Sequence, residues 1–565
     1  MVQGIFKQHK MTLQILFSIL LSFTIAICSG QQYSLSAFAV GVNDDFYGKR
    51  SMAIDSDGHV YAAGVHKTAF GIQDSSLQGM GIYLAKFDSS LTLIWIKNVA
   101  QILGAGSNLA GHQIKLDLDS ENNPFIAYSA WTGRYLKYND SLIIQSENVE
   151  IIKFNPAGIR TWRKSLVGSR KLGDKGLTID NSDKILITGI DLNDNLFIAK
   201  LDNNGNEIFF KSAGVLGLND VDEGEIIATD SMDNVYIAGH LHSNGPSDTA
   251  VFDNYSIILP QPCYSAYCFA KYSPSGAFLW VKYIYSEDPT MYSPYGSSTI
   301  TDLEISQSGQ LILGGFFTNE LLLFSDEQSP LVKVGNIGFR SAFLCSYNLD
   351  GSASWSKNLH DTNNGGSNVI DVCIDEADNI YSLNEFWGNI SNSLNAFGSP
   401  NTTESLLEKY DTYGNILTAS DFGCDYADLA YDFKTNDKNL YVLTSTDGQD
   451  NIPFVIGNDS IVFNGLNNNM LLLKLHEEES TNLIENDCCK SVNIYPNPNN
   501  GIFHIQFSES ILSYSIYNCL GEIMLESQNN SQKPIAVDIE SYQPGMYFLV
   551  IYTDNGIHSH PILKL

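Results

Sequence analysis

The sequence has little positive charge. Its 565 residues hold 32 Lys and Arg against 63 Asp and Glu, which gives a net charge of −31. Nucleic acids and anionic lipid surfaces repel such a chain unless a local basic stripe offsets the acidity, and we find no such stripe. We therefore expect no nucleic-acid partner.

Cysteines and long apolar runs are also scarce. The chain has nine Cys, and the eight that follow Cys28 are too few for a disulfide scaffold in a chain of this length. Cys263 and Cys268 are close enough in sequence to bridge one loop. Neither C-x-x-C nor H-E-x-x-H occurs, so we expect no metal and no cofactor. No segment after residue 30 is typical of a membrane span.

Aromatic residues and glycine are abundant by contrast. The chain contains 29 Tyr, 29 Phe and 45 Gly, while only 17% of its residues are charged. This composition is too aromatic for disorder and too rich in glycine for a helical protein. It indicates an all-β protein that works outside the cytoplasm.

The N-terminus is typical of a signal peptide spanning residues 1–30. Two lysines precede the apolar run Ile15–Ile27, which is too short to cross a bilayer comfortably. Small residues then predict cleavage between Gly30 and Gln31. A lipoprotein interpretation would acylate Cys28, although Ile27 is bulky where a small residue is expected.

Two patterns alternate along the rest of the chain. The first is a strand, an acidic turn and a second strand, as in Ile54–Gly64, and it recurs around Asp119, Asp180, Asp230, Ser306, Asp375 and Lys434. The second is a hairpin with its marker residues nine apart, and its copies are Lys86/Trp95, Lys153/Trp162, Lys200/Phe209, Lys271/Trp280, Ser346/Trp355 and Lys409/Thr418. A seventh copy begins at Lys474 and stops.

The two hairpins together predict a four-stranded sheet, because Asp, Asn, Ser and Gly suit tight turns. A single sheet cannot bury both faces, whereas radial stacking of seven sheets can, as in a β-propeller. The period of about 60 residues exceeds that of WD40 blades, so we expect longer loops. We predict that the N-terminal strand Tyr33–Val40 pairs with Met470–Leu475 and closes the last blade, which removes an exposed sheet edge.

The repeat resembles a known one. The pattern D-x-x-[GN]-[NH]-[VI]-Y-[IV]-x-G, followed by F-x-A-K-[FY]-[DS]-x-x-G-x-x-x-W, is similar to the seven-bladed propeller repeat of bacterial SBBP-type proteins over about residues 45–476. That family implies no defined catalytic activity. Because the recurring residues are spread around the ring, we expect them to serve the architecture, with tryptophans between blades and Lys–Asp pairs between hairpins.

A different module begins near residue 491. Its motif residues are Tyr495, Pro496, Asn497, Pro498 and Gly501, then Tyr517 with Gly521, and finally Gly545 with Tyr547. They resemble the type A sorting domain of the type IX (Por) secretion system of Bacteroidota. The resemblance implies a small Ig-like β-sandwich that is recognised by the outer-membrane translocon and removed by a sortase-like protease. The protein would then be released or fixed to surface lipopolysaccharide.

The predicted organisation is therefore a signal peptide at 1–30, a seven-bladed propeller at 31–476, an acidic linker at 477–490 and a sorting domain at 491–565. All four parts are consistent with Sec export through the periplasm, followed by secretion or attachment to the outer surface.

Departures from the repeat are the candidates for ligand contact. Trp131 and Trp387 lie just after a predicted strand and outside the tryptophan row, where they either stack on sugar rings or only pack. The segment Tyr283–Tyr295 is aromatic and acidic, as a patch on the rim would be. No catalytic residue can be nominated, because 63 acids allow too many carboxylate pairings.

Two further motifs suggest metals but have simpler interpretations. His240 and His242 lack a nearby third ligand in the sequence. Asp55 and Asp57, followed by Gly58, hint at calcium. A plain turn is the better interpretation, because the copies with Ser306 and Lys434 show that the fold does not need calcium there.

The leading functional hypothesis is a non-catalytic binding or adhesion module for carbohydrate or protein. The alternative is a secreted polysaccharide hydrolase or lyase whose acidic residues converge on the propeller channel. Carboxylates or histidines that meet in one pocket would count against binding alone, and aromatic residues on a rim would favour it.

Overall fold

Every regular element of the described chain is a β-strand. The computed structural model describes residues 33–42, 50–66, 70–103, 113–130, 135–138, 141–144, 148–215, 221–242, 248–259, 265–285, 298–325, 330–333, 339–423, 428–436, 439–446, 453–456, 459–462, 469–477, 493–495, 499–506, 511–518, 523–528, 535–553 and 556–564. None of these segments forms a helix long and apolar enough to cross a membrane. The chain is divided into two compact units, Met1–Glu478 and Glu479–Leu565.

The N-terminal unit contains seven repeats of four antiparallel strands, which we number 1 to 7. The first strands of repeats 1 to 7 are β2 (Arg50–Ile54), β8 (Ile114–Leu118), β14 (Ser169–Ile179), β18 (Glu223–Thr229), β24 (Ser298–Ile305), β30 (Asp361–Ile374) and β34 (Asp428–Asn436). The second strands are β3 (Val60–His66), β9 (Pro124–Ala130), β15 (Ile185–Asp191), β19 (Val235–His242), β25 (Gln310–Phe317), β31 (Ile380–Ser391) and β35 (Asn439–Thr446).

The outer half of each repeat is a second hairpin. The third strands are β6 (Gly81–Phe87), β12 (Asn148–Phe154), β16 (Leu196–Leu201), β22 (Ser265–Tyr272), β28 (Ser341–Asn348), β32 (Ala396–Tyr410) and β38 (Asn469–Glu477). The fourth strands of repeats 1 to 6 are β7 (Leu93–Leu103), β13 (Arg160–Leu166), β17 (Glu207–Val215), β23 (Phe278–Tyr285), β29 (Ala353–Asn358) and β33 (Ile416–Gly423).

The fourth strand of repeat 7 comes from the start of the chain. Strand β1 (Tyr33–Val42) pairs antiparallel with β38, from Tyr33 opposite Glu477 to Gly41 opposite Met470. The predicted pairing of the first strand with the Met470–Leu475 segment is therefore present. It joins residues that are more than 400 positions apart in sequence.

The first strands contact one another in cyclic order. Each contacts the first strand of the next repeat, and the order is β2 with β8, β8 with β14, β14 with β18, β18 with β24, β24 with β30, β30 with β34, and β34 with β2. The seven first strands thus surround a common axis within the N-terminal unit.

The turn between the first and second strands is built on its aspartate. In repeat 1, Asp55 Oδ1 accepts hydrogen bonds from the backbone N–H groups of Asp57 (3.0 Å) and His59 (2.8 Å). Lys86 on the third strand pairs with Asp55 Oδ2 at 3.2 Å and donates to Tyr61 Oη at 2.6 Å. Burial opposes ionisation, but these hydrogen bonds lower the pKa of Asp55 below its ordinary value.

The same ion pair joins the two hairpins in four more repeats, as the repeat pattern predicts. The pairs are Asp119–Lys153 (2.9 Å), Asp180–Lys200 (2.8 Å), Asp230–Lys271 (3.6 Å) and Asp375–Lys409 (4.0 Å).

The tryptophan row lies between neighbouring repeats. Trp355 Nε1 donates to the carbonyl of Thr412 in the next repeat at 3.0 Å, and a Cβ on Gly414 would lie 2.9 Å from the Trp355 ring. Only glycine fits this contact, because Gly414 has φ +72° and no room for a side chain. The same arrangement occurs at Trp95 with Gly158, Trp162 with Gly205, and Trp280 with Gly351.

Part of the extra length of the repeats forms additional hairpins. In five repeats, a short hairpin between the second and third strands pairs with the fourth strand of the preceding repeat. These hairpins are β4–β5 (Phe70–Ile72, Ser75–Leu77) on β1, β10–β11 (Tyr135–Tyr138, Ser141–Ile144) on β7, β20–β21 (Thr249–Phe252, Tyr255–Ile258) on β17, β26–β27 (Leu321–Phe324, Leu331–Val332) on β23, and β36–β37 (Pro453–Ile456, Asp459–Val462) on β33. The hairpins pair there because the outer edge of each sheet offers free hydrogen-bonding groups to a neighbour.

The C-terminal unit has two antiparallel sheets that share one core. One sheet has the order β39–β40–β43 (Asn493–Tyr495, Ile502–Gln506, Ile535–Asp538) and the other β42–β41–β44–β45 (Ile523–Gln528, Ile511–Asn518, Gly545–Thr553, Gly556–Lys564). Buried side chains from both sheets form the core, including Phe503, Val537, Ile516 and Leu549.

Candidate functional site

Two adjoining cavities lie among the first strands. Cavity A, of about 310 Å³, is lined by the C-terminal halves of these strands, for example at Ile54 and Glu304. Cavity B, of about 480 Å³, is lined by their N-terminal halves, for example at Arg50 and Glu225. Lys115 and Lys175 line both cavities.

A repeated hydrogen bond holds the first strands together. Lys434 lies inside β34, so the turn residue of repeat 7 is Asn436 and not Lys434 as the sequence suggested. The acceptor is a side chain four positions before the turn residue, and the donor is the backbone N–H three positions before the turn residue of the next repeat. The bonds are Asp302 Oδ2 with Val372 N (2.7 Å), Asp371 Oδ2 with Phe433 N (2.6 Å), Asp432 Oδ2 with Met52 N (2.8 Å) and Ser51 Oγ with Leu116 N (3.1 Å). These bonds connect first strands of neighbouring repeats that belong to different sheets.

Two lysines cross-link the ring from inside. Lys175 Nζ lies 2.9 Å from Asp302 Oδ2 and 2.5 Å from Asp371 Oδ1, so it ties repeat 3 to repeats 5 and 6. Lys115 Nζ lies 3.2 Å from Asp432 Oδ2 and ties repeat 2 to repeat 7. Burial alone would lower the pKa of Lys175, but the two carboxylates raise it above its ordinary value. Burial raises the pKa of Asp371, an effect that Lys175 opposes.

Carboxylates therefore do converge on the axis, but most of them are engaged in holding strands together. Asp117 Oδ2, for example, accepts from Ile179 N at 2.8 Å. Glu304 is the exception in cavity A, because its nearest cation is Lys434 at 3.8 Å and 34% of its side chain is exposed to the cavity. Burial raises the pKa of Glu304, an effect that Lys434 opposes.

Cavity B is lined by residues that bulge out of the first strands. The strand register skips one residue between Ile300 and Asp302, between Val369 and Asp371, and between Ala430 and Asp432. The skipped residues are Thr301, Ile370 and Tyr431, and all three line cavity B. A bulge turns an extra side chain toward one face, which here places it at the axis.

Two arginines of cavity B lie over aromatic rings. The guanidinium carbon of Arg50 is 4.3 Å from the centroid of Tyr431, and that of Arg340 is 4.4 Å from the centroid of Phe316. Burial lowers the pKa of Arg340, an effect that Glu385 opposes. Aromatic and cationic surfaces thus occur side by side in this cavity.

Acidic and amide groups complete the lining of cavity B. Burial raises the pKa of Glu225 well above its ordinary value, with further contributions from the Asp174 and Glu223 carboxylates. Asn368 is 4% exposed, and its Oδ1 atom has no hydrogen-bond partner among the described residues.

A serine–histidine–glutamate arrangement lies within repeat 6. His360 Nδ1 is 2.8 Å from Ser367 Oγ, and His360 Nε2 is 3.1 Å from both Glu408 carboxylate oxygens. All three residues are buried, and Tyr410 and Asn392 also donate to Glu408. The arrangement resembles a hydrolase triad in connectivity, but substrate has no access to Ser367, so it acts as a polar core network.

Of the two predicted ligand aromatics, the structure describes Trp387. Trp131 lies outside the described residues. Trp387 lies within β31, which continues to Ser391 beyond the predicted strand end, and its partly buried ring covers Gly366. Trp387 is not among the residues that line cavity A or cavity B. Of the aromatic segment Tyr283–Tyr295, Tyr283 and Tyr285 belong to β23 and residues 286–297 lie outside the described chain.

The two histidines lie at the end of β19, where their ring centroids are 4.2 Å apart. Burial lowers the pKa of His240 to about 3, with a smaller contribution from His242. His242 Nδ1 lies 2.7 Å from the carbonyl of Val221. Within the described chain, Asp55, Asp57 and His59 form the one group of three potential ligands, and its Asp55 carboxylate is already engaged in the turn.

The described cysteines do not form the suggested bridge. Cys268 lies in β22 as a buried free thiol, and Cys263 is outside the described residues. Cys345 and Cys373 are also buried free thiols.

The sorting-motif residues mark strand ends in the C-terminal unit. Tyr495 ends β39 and is 39% exposed, and Tyr517 lies in β41. Gly501 has φ +119°, and a Cβ there would lie 2.8 Å from Glu540 Cα. Gly545 begins β44, and the buried Tyr547 donates to the carbonyl of Gln543 at 2.7 Å. The remaining predicted residues lie outside the described chain, namely Pro496, Asn497, Pro498 and Gly521, and the cleavage pair Gly30 and Gln31.

The sequence does contain a signal for the axial residues. The position four before the turn residue holds a polar side chain in most repeats, namely Ser51, Lys115, Asp302, Asp371 and Asp432. A polar residue at a fixed offset inside an otherwise apolar strand indicates a shared structural position.

Comparisons with known proteins identify the C-terminal unit. Residues 493–564 match the family described as the secretion system C-terminal sorting domain. The sorting-domain prediction is thereby confirmed, and the protein is exported by the type IX secretion system to the cell surface or the medium. No curated protein matches the chain.

Similar solved structures are distant. The polysaccharide lyase Uly1 is 10% identical with a TM-score of 0.38, covering 76% of this chain and 90% of its own. A protein of unknown function from Bacteroides caccae is 10% identical with a TM-score of 0.29, covering 60% and 89%. A member of the duf4221 family from Bacteroides vulgatus is 11% identical with a TM-score of 0.27, covering 67% and 99%. Likenesses at these TM-scores do not support a shared activity.

Proposed function

We propose that the N-terminal unit is a seven-bladed β-propeller that binds a ligand in its axial cavity without catalysing a reaction. In this proposal residues 1–30 are a signal peptide, residues 31–476 an SBBP-type propeller, and residues 477–490 a linker. Residues 491–565 are then an Ig-like sorting domain of a Bacteroidota protein, processed by a sortase-like protease. Carbohydrate or protein is the class of ligand.

The propeller assignment is supported by three features of the strands. There are seven four-stranded repeats, their first strands contact one another in cyclic order, and β1 completes the seventh sheet. The interdigitated Trp355 and Gly414, repeated at three other junctions, are consistent with sheets stacked face to face.

Cavity B is the single observation that supports binding. Its volume of about 480 Å³ lies within the usual range for organic ligands, and it combines aromatic faces with a few polar groups. Most other inward carboxylates, such as Asp371 and Asp432, are already engaged between strands.

A cavity-filling variant tests the binding proposal. The full chain is applied to a glycan array as wild type and as Ile370→Trp, which enlarges a side chain lining cavity B. Leu417→Trp, which adds the same ring at an exposed position of β33, is the matched control. We expect glycan binding that I370W abolishes and L417W retains. Equal binding by I370W and wild type would contradict a ligand site in cavity B.

Glu304 favours a second candidate function, a polysaccharide hydrolase or lyase acting in cavity A. Its raised pKa and partial exposure suit a general acid, and Lys434 is its nearest cation. Incubation with polysaccharides, followed by a reducing-end assay, tests this candidate. If the wild type is active and Glu304→Gln removes the activity, the enzyme assignment replaces the binding proposal. If the wild type shows no activity, the enzyme assignment is rejected and the binding proposal stands.

The route of export has its own test. A chain lacking residues 491–565 should accumulate in the periplasm, because the translocon has no sorting domain to recognise. Fractionation and immunoblotting give the readout. If the truncated protein reached the medium, the sorting unit would not be required for export.

A further inference from the structure

Cavity B contains a guanidinium that forms no hydrogen bond and no ion pair with the side chains of the described residues. It belongs to Arg340 and lies over Phe316. Arg340 lines the cavity. Burial there lowers the pKa of its guanidinium, and the Glu385 carboxylate opposes this effect. A cation in this setting gains most from an anion that brings its own charge into the cavity.

Cavity B also contains an acceptor without a donor. Asn368 is 4% exposed and lines the cavity, and its Oδ1 atom has no hydrogen-bond partner among the described residues. A buried amide oxygen that lacks a donor is unfavourable, so a ligand that offers a hydroxyl group would improve this site.

Arg340 and Asn368 require two different functional groups in one ligand, an anion for the guanidinium and a hydrogen-bond donor for the amide oxygen. An inorganic anion would satisfy Arg340 but has few or no hydrogens to offer Asn368, and it would leave most of the 480 Å³ empty. A neutral sugar offers hydroxyls but no charge. The faces of Phe316 and Tyr431, each covered on one side by an arginine, add apolar surface suited to a flat ring.

We propose that cavity B binds a saccharide that carries a carboxylate, such as a uronic acid. Arg340 pairs with the carboxylate, and Asn368 Oδ1 accepts a hydrogen bond from a ring hydroxyl. This inference rests on the proposed binding function and specifies its ligand class. Burial raises the pKa of Glu225 well above its ordinary value, which reduces its repulsion of an anionic ligand.

Isothermal titration calorimetry on the full chain tests the inference with two probes. Digalacturonic acid and galactobiose have the same ring framework and differ in carboxylate against hydroxymethyl groups. We expect the acid to bind at least tenfold more tightly at 0.15 M salt. Arg340→Gln should remove this preference, and Asn368→Leu should weaken both probes. The control is Arg160→Gln, at an exposed position of β13, which should retain the preference for the acid.

The outcomes separate this inference from the proposed function. Equal affinity for the two probes, or a preference that R340Q retains, would overturn the uronate assignment. If neither probe binds while the array shows glycan binding that I370W abolishes, the ligand class is wrong and the binding site stands. If the array signal is also unaffected by I370W, both proposals fail. Unfolding temperatures of R340Q and N368L within a few degrees of wild type establish that these variants are folded. If R340Q does not fold, Arg340→Lys is the more conservative variant for the same comparison of probes.

Discussion

Lys175 Nζ lies 2.5 Å from Asp371 Oδ1, and this ion pair joins the first strands of repeats 3 and 6 across the axial space. The two residues are 196 positions apart in sequence. The pair therefore ties together parts of the N-terminal unit that have no shared sheet. Lys175 also contacts Asp302, so the same lysine joins repeat 5 to repeats 3 and 6.

Removing this lysine should destabilise the N-terminal unit strongly. Lys175→Met leaves Asp302 and Asp371 without their cation, and breaking a buried pair in this way costs about 3–5 kcal/mol. Urea unfolding followed by tryptophan fluorescence measures the loss. The control is Lys211→Met, which breaks the exposed pair with Asp253 and should cost less than about 1 kcal/mol. Similar losses in the two variants would show that Lys175 is not a structural cross-link.

His240 should make the protein less stable in mild acid. Its folded pKa is about 3, below the ordinary value of 6.5, because the ring is buried beside His242 and Tyr267. Between these two values the unfolded chain takes up a proton that the folded chain does not, so stability falls as the pH decreases. From pH 6.5 to pH 5 this residue alone should cost about 2 kcal/mol.

Urea unfolding at pH 7 and pH 5 measures this effect. The variants His240→Phe and His240→Gln cannot take up the proton, so each should lose about 2 kcal/mol less than wild type over this interval. Their absolute stabilities will differ, but their pH dependence should agree. A wild-type slope in both variants would mean that His240 does not contribute to acid sensitivity.

The contact between Trp355 and Gly414 should tolerate no side chain. Gly414→Ala places a Cβ 2.9 Å from the ring and also strains a backbone with φ +72°. Gly309→Ala has a similar φ of +84°, but its nearest neighbour, Leu349, is 3.6 Å away. Both variants strain the backbone, so the difference between them reports the clash with the tryptophan ring. G414A should therefore be less stable than G309A by about 1–2 kcal/mol. Thermal unfolding of the two variants gives this difference, and equal midpoints would exclude a steric role for the tryptophan.

Gly501 should be needed for the sorting unit to fold. A Cβ there would lie 2.7–2.8 Å from Glu540, including its backbone. Gly545→Ala is the matched control, because Gly545 has φ +155° with no atom within 4 Å. We expect Gly501→Ala to reduce export and G545A to reduce it less, as measured by protein in the medium against the periplasm. Normal export of G501A would show that the translocon tolerates distortion at this strand end.

Local chemistry explains why much of the architecture was predictable from sequence. An aspartate in a turn must satisfy nearby N–H groups, and Lys86 opposite Asp55 follows from the same short stretch of chain. The tryptophan spacing and the pairing of Tyr33–Val40 with Met470–Leu475 were predictable in the same way. The turn, the ion pair and the tryptophan recur, so their positions in one repeat define their positions in the others, and the pairing of the first strand follows from the strand that the seventh repeat lacks.

The axial site was less predictable because it is assembled from distant segments of all seven repeats. The bulge at Thr301 places an extra side chain in cavity B and leaves no strong mark in the sequence. The contact between Arg340 and Phe316 likewise joins residues from two separate segments. The hairpins on neighbouring sheets, such as β20–β21 on β17, depend on a free edge that only the assembled repeats create. Burial likewise decides the pKa of Glu225, and the sequence does not encode burial directly.

The position of β1 has a consequence for the timing of biosynthesis. Because Tyr33 pairs with Glu477, the seventh sheet lacks a strand until nearly the whole N-terminal unit has been synthesised. Contacts over such a separation form slowly, since a long loop must close first. The sorting unit starts only a few residues after Glu477, at Glu479. The strand that completes the main unit and the unit that directs export are therefore both encoded in the last part of the chain to be synthesised, so a chain cut short before Glu477 lacks both.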